Sequence, residues 1–136
     1  MKLQPYLNFN GQCEAAFRFY EKVLGGKIQG MMTYGESPAA ADSPPEAHGR
    51  ILHVRLEVGD TVLMGSDGPP VYDEKPQGIW VNIAVDDVGE AERIFKALAD
   101  GGSVTMAIGK TFWAERFGMV KDKFGTPWMV NCQTSP

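Results

Sequence analysis

FYEKVLGGKI (residues 19–28) is answered 75 residues later by IFKALADGGSV (residues 94–104), and this internal match decides the fold. In each copy an apolar stripe at helical spacing runs into two glycines, and a strand-like segment follows. Upstream of the first copy, Cys13, Ala16, Phe17, Tyr20 and Leu24 mark one face of a helix, which Gly25-Gly26 ends. Upstream of the second, Asp86-Asp87 offers an N-cap to a helix carrying Val88, Ala91, Phe95 and Leu98, which Gly101-Gly102 ends.

Outward from the helices the period falls to two. Leu3 to Phe9 alternates as a half-buried strand, with Pro5 near its start, where a missing donor costs least. KIQGMMTYG reads as a strand, and the Pro-rich segment at 36–49 reads as an irregular surface loop. RILHVRLEV and TVLMGS form a hairpin about Gly59-Asp60. IWVNIAV before the second helix, and SVTMAI, RFGMVKD and TPWMVNC after it, repeat the series, with GKTFWAE as a loop and Phe124-Gly125 as a turn. VRLEVGDTVLM also lies against MVKDKFGTPWMV. The predicted fold is α+β, two βαβββ modules in one domain spanning 1–136: module one at about 3–66, a Gly/Pro-rich linker at 67–77, and module two at about 78–132.

Each helix should cover one sheet face and leave the other open. By polarity the helix side is assigned Leu7, Phe9, Leu52, Val54, Leu56, Val62, Met64, Val81, Ile83, Val85, Trp128 and Val130. The open side is assigned Tyr6, Asn8, His53, Arg55, Glu57, Leu63, Trp80, Asn82, Met129 and Asn131.

Composition excludes several functions. A net charge of −4 with no Lys/Arg cluster argues against nucleic acid. No run of 18 apolar residues and no secretory leader is visible, so a cytoplasmic protein without membrane contact is expected. Cys13 and Cys132 are read as thiols, too few for a disulfide framework and too far apart for a metal knuckle. There is no phosphate loop or dinucleotide fingerprint, since GGS follows a helix instead of opening one.

The duplicated pattern, with FYEKVLGG ending one helix and VDD opening the other, resembles the vicinal oxygen chelate superfamily of glyoxalase I, bleomycin-resistance proteins and extradiol dioxygenases. PYLNFNGQCEAAFRFY, HVRLEVGDTVLMGSD, DGGSVTM and TFWAERFGMVKDKFGTPWMVN are similar to its PhnB-like branch, which carries a 3-demethylubiquinone methyltransferase-like label. The resemblance implies two modules enclosing a U-shaped cavity, commonly in a homodimer, with any metal held by the first and last strands of each module. Carried onto this chain, the ligand positions fall at Gln4 (or Pro5), Leu63, Trp80 and Met129. None is His, Asp or Glu, and an amide, an aliphatic, an indole and a thioether cannot replace the donors that Zn²⁺ or Ni²⁺ needs. No metal and no cofactor is therefore expected. The methyltransferase label meets the same objection, because the chain lacks the glycine-rich loop and the large parallel sheet that normally hold a methyl donor.

The expected partner is a small organic ligand bound by Tyr6, His53, Arg55, Trp80, Trp113 and Met129. His53, Arg55 and Glu57 share a strand face and could act as base, anion clamp and orienting carboxylate, or simply satisfy one another as a solvated polar face. A relocated metal site of His48, His53 and Glu57 would require the Pro-rich loop to fold inward. Phe112 and Trp113 could roof a ligand with Arg116 as a cation, or Trp113 could be packing at the module seam. Trp80 and Met129 could line a cavity or merely fill it. Cys13 opens a helix, where a thiol can be activated, but its spacing with Phe17 and Tyr20 turns it inward. Three functions stay open: metal-free ligand binding, an enzyme using relocated ligands or His53 acid/base chemistry, and sequestration of a cationic drug, which the acidic balance would suit.

Overall fold

The structure is a computed structural model that describes residues 1–68 and 74–133. Residues 69–73, in the middle of the expected linker, lie outside the described residues. The chain divides into two units, Met1–Glu74 and Lys75–Pro136.

Module one runs β1 (Tyr6–Phe9), α1 (Cys13–Leu24), β2 (Lys27–Thr33), two short 3-10 turns (Pro38–Asp42 and Pro45–Ala47), β3 (Ile51–Val58) and β4 (Thr61–Asp67). Module two runs β5 (Val81–Val85), α2 (Val88–Ala99), β6 (Ser103–Gly109), β7 (Ala114–Lys121) and β8 (Pro127–Gln133). Their four-stranded sheets have the same order, β1-β4-β3-β2 and β5-β8-β7-β6. In each, the first strand lies parallel to the last and the other pairs are antiparallel. The predicted βαβββ duplication is the observed one. β1 starts at Tyr6, not Leu3, which is exposed.

The paired glycines in both halves do two different jobs. Gly25 (φ 71°) and Gly101 (φ 75°) take the left-handed conformation that ends each helix. Gly26 and Gly102 lie against the ends of β3 and β7, where a Cβ would collide with the carbonyl oxygens of Glu57 and Lys121. The motif therefore both stops the helix and lets the next strand close onto its sheet.

Phe17 and Tyr20 of α1 are fully buried, with Val54 and Leu56 of β3 also at the centre of module one. Phe9 meets Phe17 edge to face at 6.2 Å. In α2, Ala91, Ile94, Phe95 and Leu98 are buried, as are Trp128, Val130 and Cys132 of β8. Two carboxylates that the sequence did not single out brace these cores. Asp67, 1% exposed, accepts hydrogen bonds from the backbone N–H groups of Gly11 (2.7 Å), Cys13 (3.1 Å) and Ile51 (2.9 Å). It thereby caps α1, whose own N-cap Gln12 makes no side-chain bond. Asp122 accepts from Phe124 N (2.8 Å), Thr126 N (3.0 Å) and the Trp128 indole (2.9 Å), so one side chain builds the β7–β8 turn and sets the core tryptophan.

The register overturns part of the expected face assignment. Leu56 pairs with Leu63 and Val54 with Gly65, so the odd-numbered residues of β4 share the helix side with the even-numbered residues of β3. Gly65 confirms this, since a Cβ there would lie 2.6 Å from the Phe17 ring. Leu63 is accordingly 6% exposed on the helix side. Val62 and Met64, expected beneath the helix, face the open side beside Glu57 and Arg55. The cause is the two-residue Gly59-Asp60 turn, which pairs Val58 with Thr61 and so crosses the numbering parity. Leu52 is displaced too: the pairing jumps from Met32↔His53 to Thr33↔Ile51, and Ile51 instead of Leu52 is buried.

Candidate functional site

On the open face of module one, the register lines up Tyr6, Met64, Arg55 and Gly30 in one rung across the four strands. Asn8 pairs with Ser66 one step further along β1 and β4, and His53 pairs with Met32 across β3 and β2. Beyond Arg55 the third rung holds Val62, Glu57 and Lys27. Tyr6 Oη lies 3.2 Å from His53 Nδ1, and the two rings are 5.7 Å apart. Ser66 donates to Asn8 Oδ1 at 3.3 Å. Arg55 Nε lies 3.5 Å from Glu57 Oε1. The structure thus brings Tyr6, His53 and Arg55 onto one face, as expected, but gives His53 a phenol for a partner, while Glu57 pairs with Arg55 instead of orienting the imidazole.

The corresponding rung of module two is Asn82, Met129, Met119 and Met106, with Ala84, Asn131, Phe117 and Gly109 beside it. Three thioethers in one rung make a polarizable, adaptable floor. Trp113, 41% exposed, packs edge-on against Phe117 at 5.3 Å and against Phe112 at 4.8 Å, and Phe112 is almost fully exposed. Trp80 directly precedes β5 and is half-buried. The Asn131 side-chain oxygen is buried and has no hydrogen-bond partner among the described residues.

Several expected participants are engaged elsewhere. Arg116 pairs by register with Cys132 on the helix side and binds Glu92 of α2 at 2.8 Å, so it is no cation for this face. His48 donates its Nε2–H between the carbonyls of Ala40 (3.0 Å) and Ser43 (3.1 Å), pinning the first 3-10 turn. That fixes the Pro-rich loop upon itself and removes His48 from a metal set with His53 and Glu57. Cys13 is fully buried, and burial, reinforced by the carboxylates of Asp67 and Glu14, pushes its thiol up to about 12, the opposite of an activated nucleophile.

The metal positions implied by the resemblance do not fit a metal. With the register corrected, the module-one position on β4 is Met64, the counterpart of Met129, and Gln4, Met64, Trp80 and Met129 offer an amide, an indole and two thioethers. Among the described residues no group of three or more His, Cys, Asp or Glu is gathered where it could hold an ion. The helix N-termini are likewise taken by the chain's own carboxylates, Asp67 at α1 and Asp87, which accepts from Glu90 N at 2.8 Å, at α2. Neither offers a free anion site for the phosphates of a nucleotide. Among the described residues no helix is long and apolar enough to cross a membrane.

Two βαβββ modules, each with a helix on one sheet face and the first strand parallel to the last, define the glyoxalase or vicinal oxygen chelate type of fold. The family model described as 3-demethylubiquinone-9 3-methyltransferase matches residues 1–131, and the chain belongs to this PhnB-like family. It is similar to Protein YjdN of Escherichia coli K12, 34% identical over 139 residues that cover 96% of this chain and 95% of YjdN. Among solved structures it resembles protein PA1353 from Pseudomonas aeruginosa (46% identity, TM-score 0.91, 99% of each chain). The fold alone is shared with a putative 3-demethylubiquinone-9 3-methyltransferase, PhnB protein, from Bacillus cereus (22% identity, TM-score 0.80, 97% of this chain and 99% of that one).

Proposed function

We propose that this chain is a metal-free, PhnB-like small-molecule-binding protein, acting as a homodimer, that holds an organic ligand among aromatic and polar side chains. The observation that carries this is the unpartnered, buried Asn131 oxygen beside the Phe117–Trp113 pair and the methionine rung. A buried acceptor left unpaired costs about 1–3 kcal/mol. A ligand with an apolar body would cover the aromatic rings, and a donor on it would satisfy the amide once the Asn131 side chain turns toward it. Tyr6, His53, Arg55, Trp80, Trp113 and Met129 are the residues proposed to contact ligand. The unsuitable donors at the inherited metal positions support the metal-free part of the reading.

Thermal-shift screening of small aromatic and heteroaromatic compounds, repeated on Met129→Arg, tests this. Hits that stabilise the wild type and vanish in the folded variant are expected. Absence of any shift at millimolar concentration, or hits that Met129→Arg leaves untouched, would sink the proposal. A second reading, acid/base catalysis by His53, draws on the Tyr6–His53 hydrogen bond, which holds the ring in one orientation. Full turnover of a discovered substrate by His53→Ala would remove it. Sequestration of a cationic drug is less well supported, because the module-one face carries Lys27 and Arg55 against Glu57 alone.

A further inference from the structure

We infer that the open face of module one is an oxyanion-recognition site, which takes the carboxylate or a similar anionic group of the ligand. This rests on the small-molecule reading above and specifies the chemistry of its polar end.

An imidazole nitrogen is far more basic than a phenol oxygen, so at 3.2 Å the Tyr6 phenol donates and His53 Nδ1 accepts. That assigns the ring proton to Nε2, and His53 presents an N–H donor away from Tyr6. Arg55 stands two residues along the same strand face, roughly 7 Å away from Cα to Cα. Its ion pair to Glu57 uses Nε at 3.5 Å with both side chains more than 40% exposed. Among the described residues Nη1 and Nη2 have no partner, so the planar edge suited to bidentate carboxylate binding stays available.

Charge agrees with donor geometry. The chain carries −4 overall, yet the charged residues that the register places on this face are Lys27, Arg55 and Glu57, two cations against one anion. Glu57 lies a rung further from His53 than Arg55 does, so an anion between His53 and Arg55 meets the donors first. Met64, between Tyr6 and Arg55, and Met32, beside His53, give an apolar floor for the body behind the charged group. His53 and Arg55 thus act as paired donors, and Tyr6 is a positioning residue that sets the tautomer.

The test is an NMR titration of ¹⁵N-labelled full-length protein with benzoate and with benzamide, which matches it in shape but lacks its charge. Benzoate is expected to move the His53 ring and Arg55 Nε signals and to bind at least about tenfold more tightly than benzamide. Arg55→Gln should bring the two to parity without unfolding the protein. Ring nitrogen shifts should report Nε2–H in the wild type and a mixture of tautomers in Tyr6→Phe. Benzamide binding as well as benzoate, or a dominant Nδ1–H tautomer in the wild type, would overturn the oxyanion site while leaving small-molecule binding in place. If neither compound perturbs either sheet up to its solubility limit, the inference fails together with the function it rests on.

Discussion

Leu63→Ala and Met64→Ala, neighbours on one strand, should differ sharply in stability, because the register puts them on opposite sheet faces. Leu63 is 6% exposed, pairs with fully buried Leu56, and lies on the face that α1 covers. Truncating a packed leucine removes its transfer free energy and leaves a cavity, about 3 kcal/mol in such a setting. Met64 is half-buried on the open face, with Tyr6 and Arg55 as its rung neighbours, so its truncation should cost about 1 kcal/mol or less. For a chain of this length the difference corresponds to a Tm loss of roughly 10 °C against roughly 3 °C. Urea unfolding followed by tryptophan fluorescence, with m unchanged between variants, gives the two values. Aspartate sharpens the contrast, since Met64→Asp should fold and Leu63→Asp should not. Equal losses, or the larger loss at Met64, would refute the register and return Leu63 to the ligand-facing side.

Asp122→Ala should cost on the order of 3–5 kcal/mol, because it strands two backbone N–H groups and the Trp128 indole in a buried turn. Asp122→Asn should lose less, since an amide oxygen can still accept the backbone bonds; chemical denaturation followed by tryptophan fluorescence compares them. Native Cys13 should resist iodoacetamide until the protein unfolds, as mass spectrometry of the alkylated peptide will show. Its folded thiol, about 12, lies above the ordinary 9.0, so its contribution to stability is complete below pH 9 and is lost as pH rises toward 12. Cys13→Ala should flatten that part of the Tm-against-pH curve.

The fold was legible because its signals are local and occur twice. Both helices announce themselves by apolar stripes that end in Gly-Gly, and the structure shows why both glycines are needed, the first for its left-handed turn and the second for strand closure. The face of β4 was readable in principle but was misassigned, since hydrophobicity cannot separate Val62 and Met64 from Leu63. The two-residue turn at Gly59-Asp60 separates them, because it fixes which parities meet across the hairpin. The bulge at Leu52 has no such signature. At the site, alternation along β3 sufficed to place His53 and Arg55 together. The Tyr6–His53 contact and the commitment of Arg116 to Glu92 depend on tertiary approach, and that of His48 to Ala40 and Ser43 on how an irregular loop folds on itself. The buried hydrogen bonds of Asp67 and Asp122 went unseen for a related reason, although Asp122 reads as the start of a turn: in a sequence, a carboxylate at the end of a strand looks like any solvated turn residue.

Gln4, Met64, Trp80 and Met129, at the positions where the family resemblance would place metal ligands, are proposed to hold no metal. Elemental analysis of protein purified without chelator, followed by titration with Ni²⁺, Zn²⁺ and Fe²⁺ under thermal monitoring, tests it directly. The account predicts well below one equivalent of any of these metals and no rise in Tm; one equivalent per chain with a matching rise would contradict it.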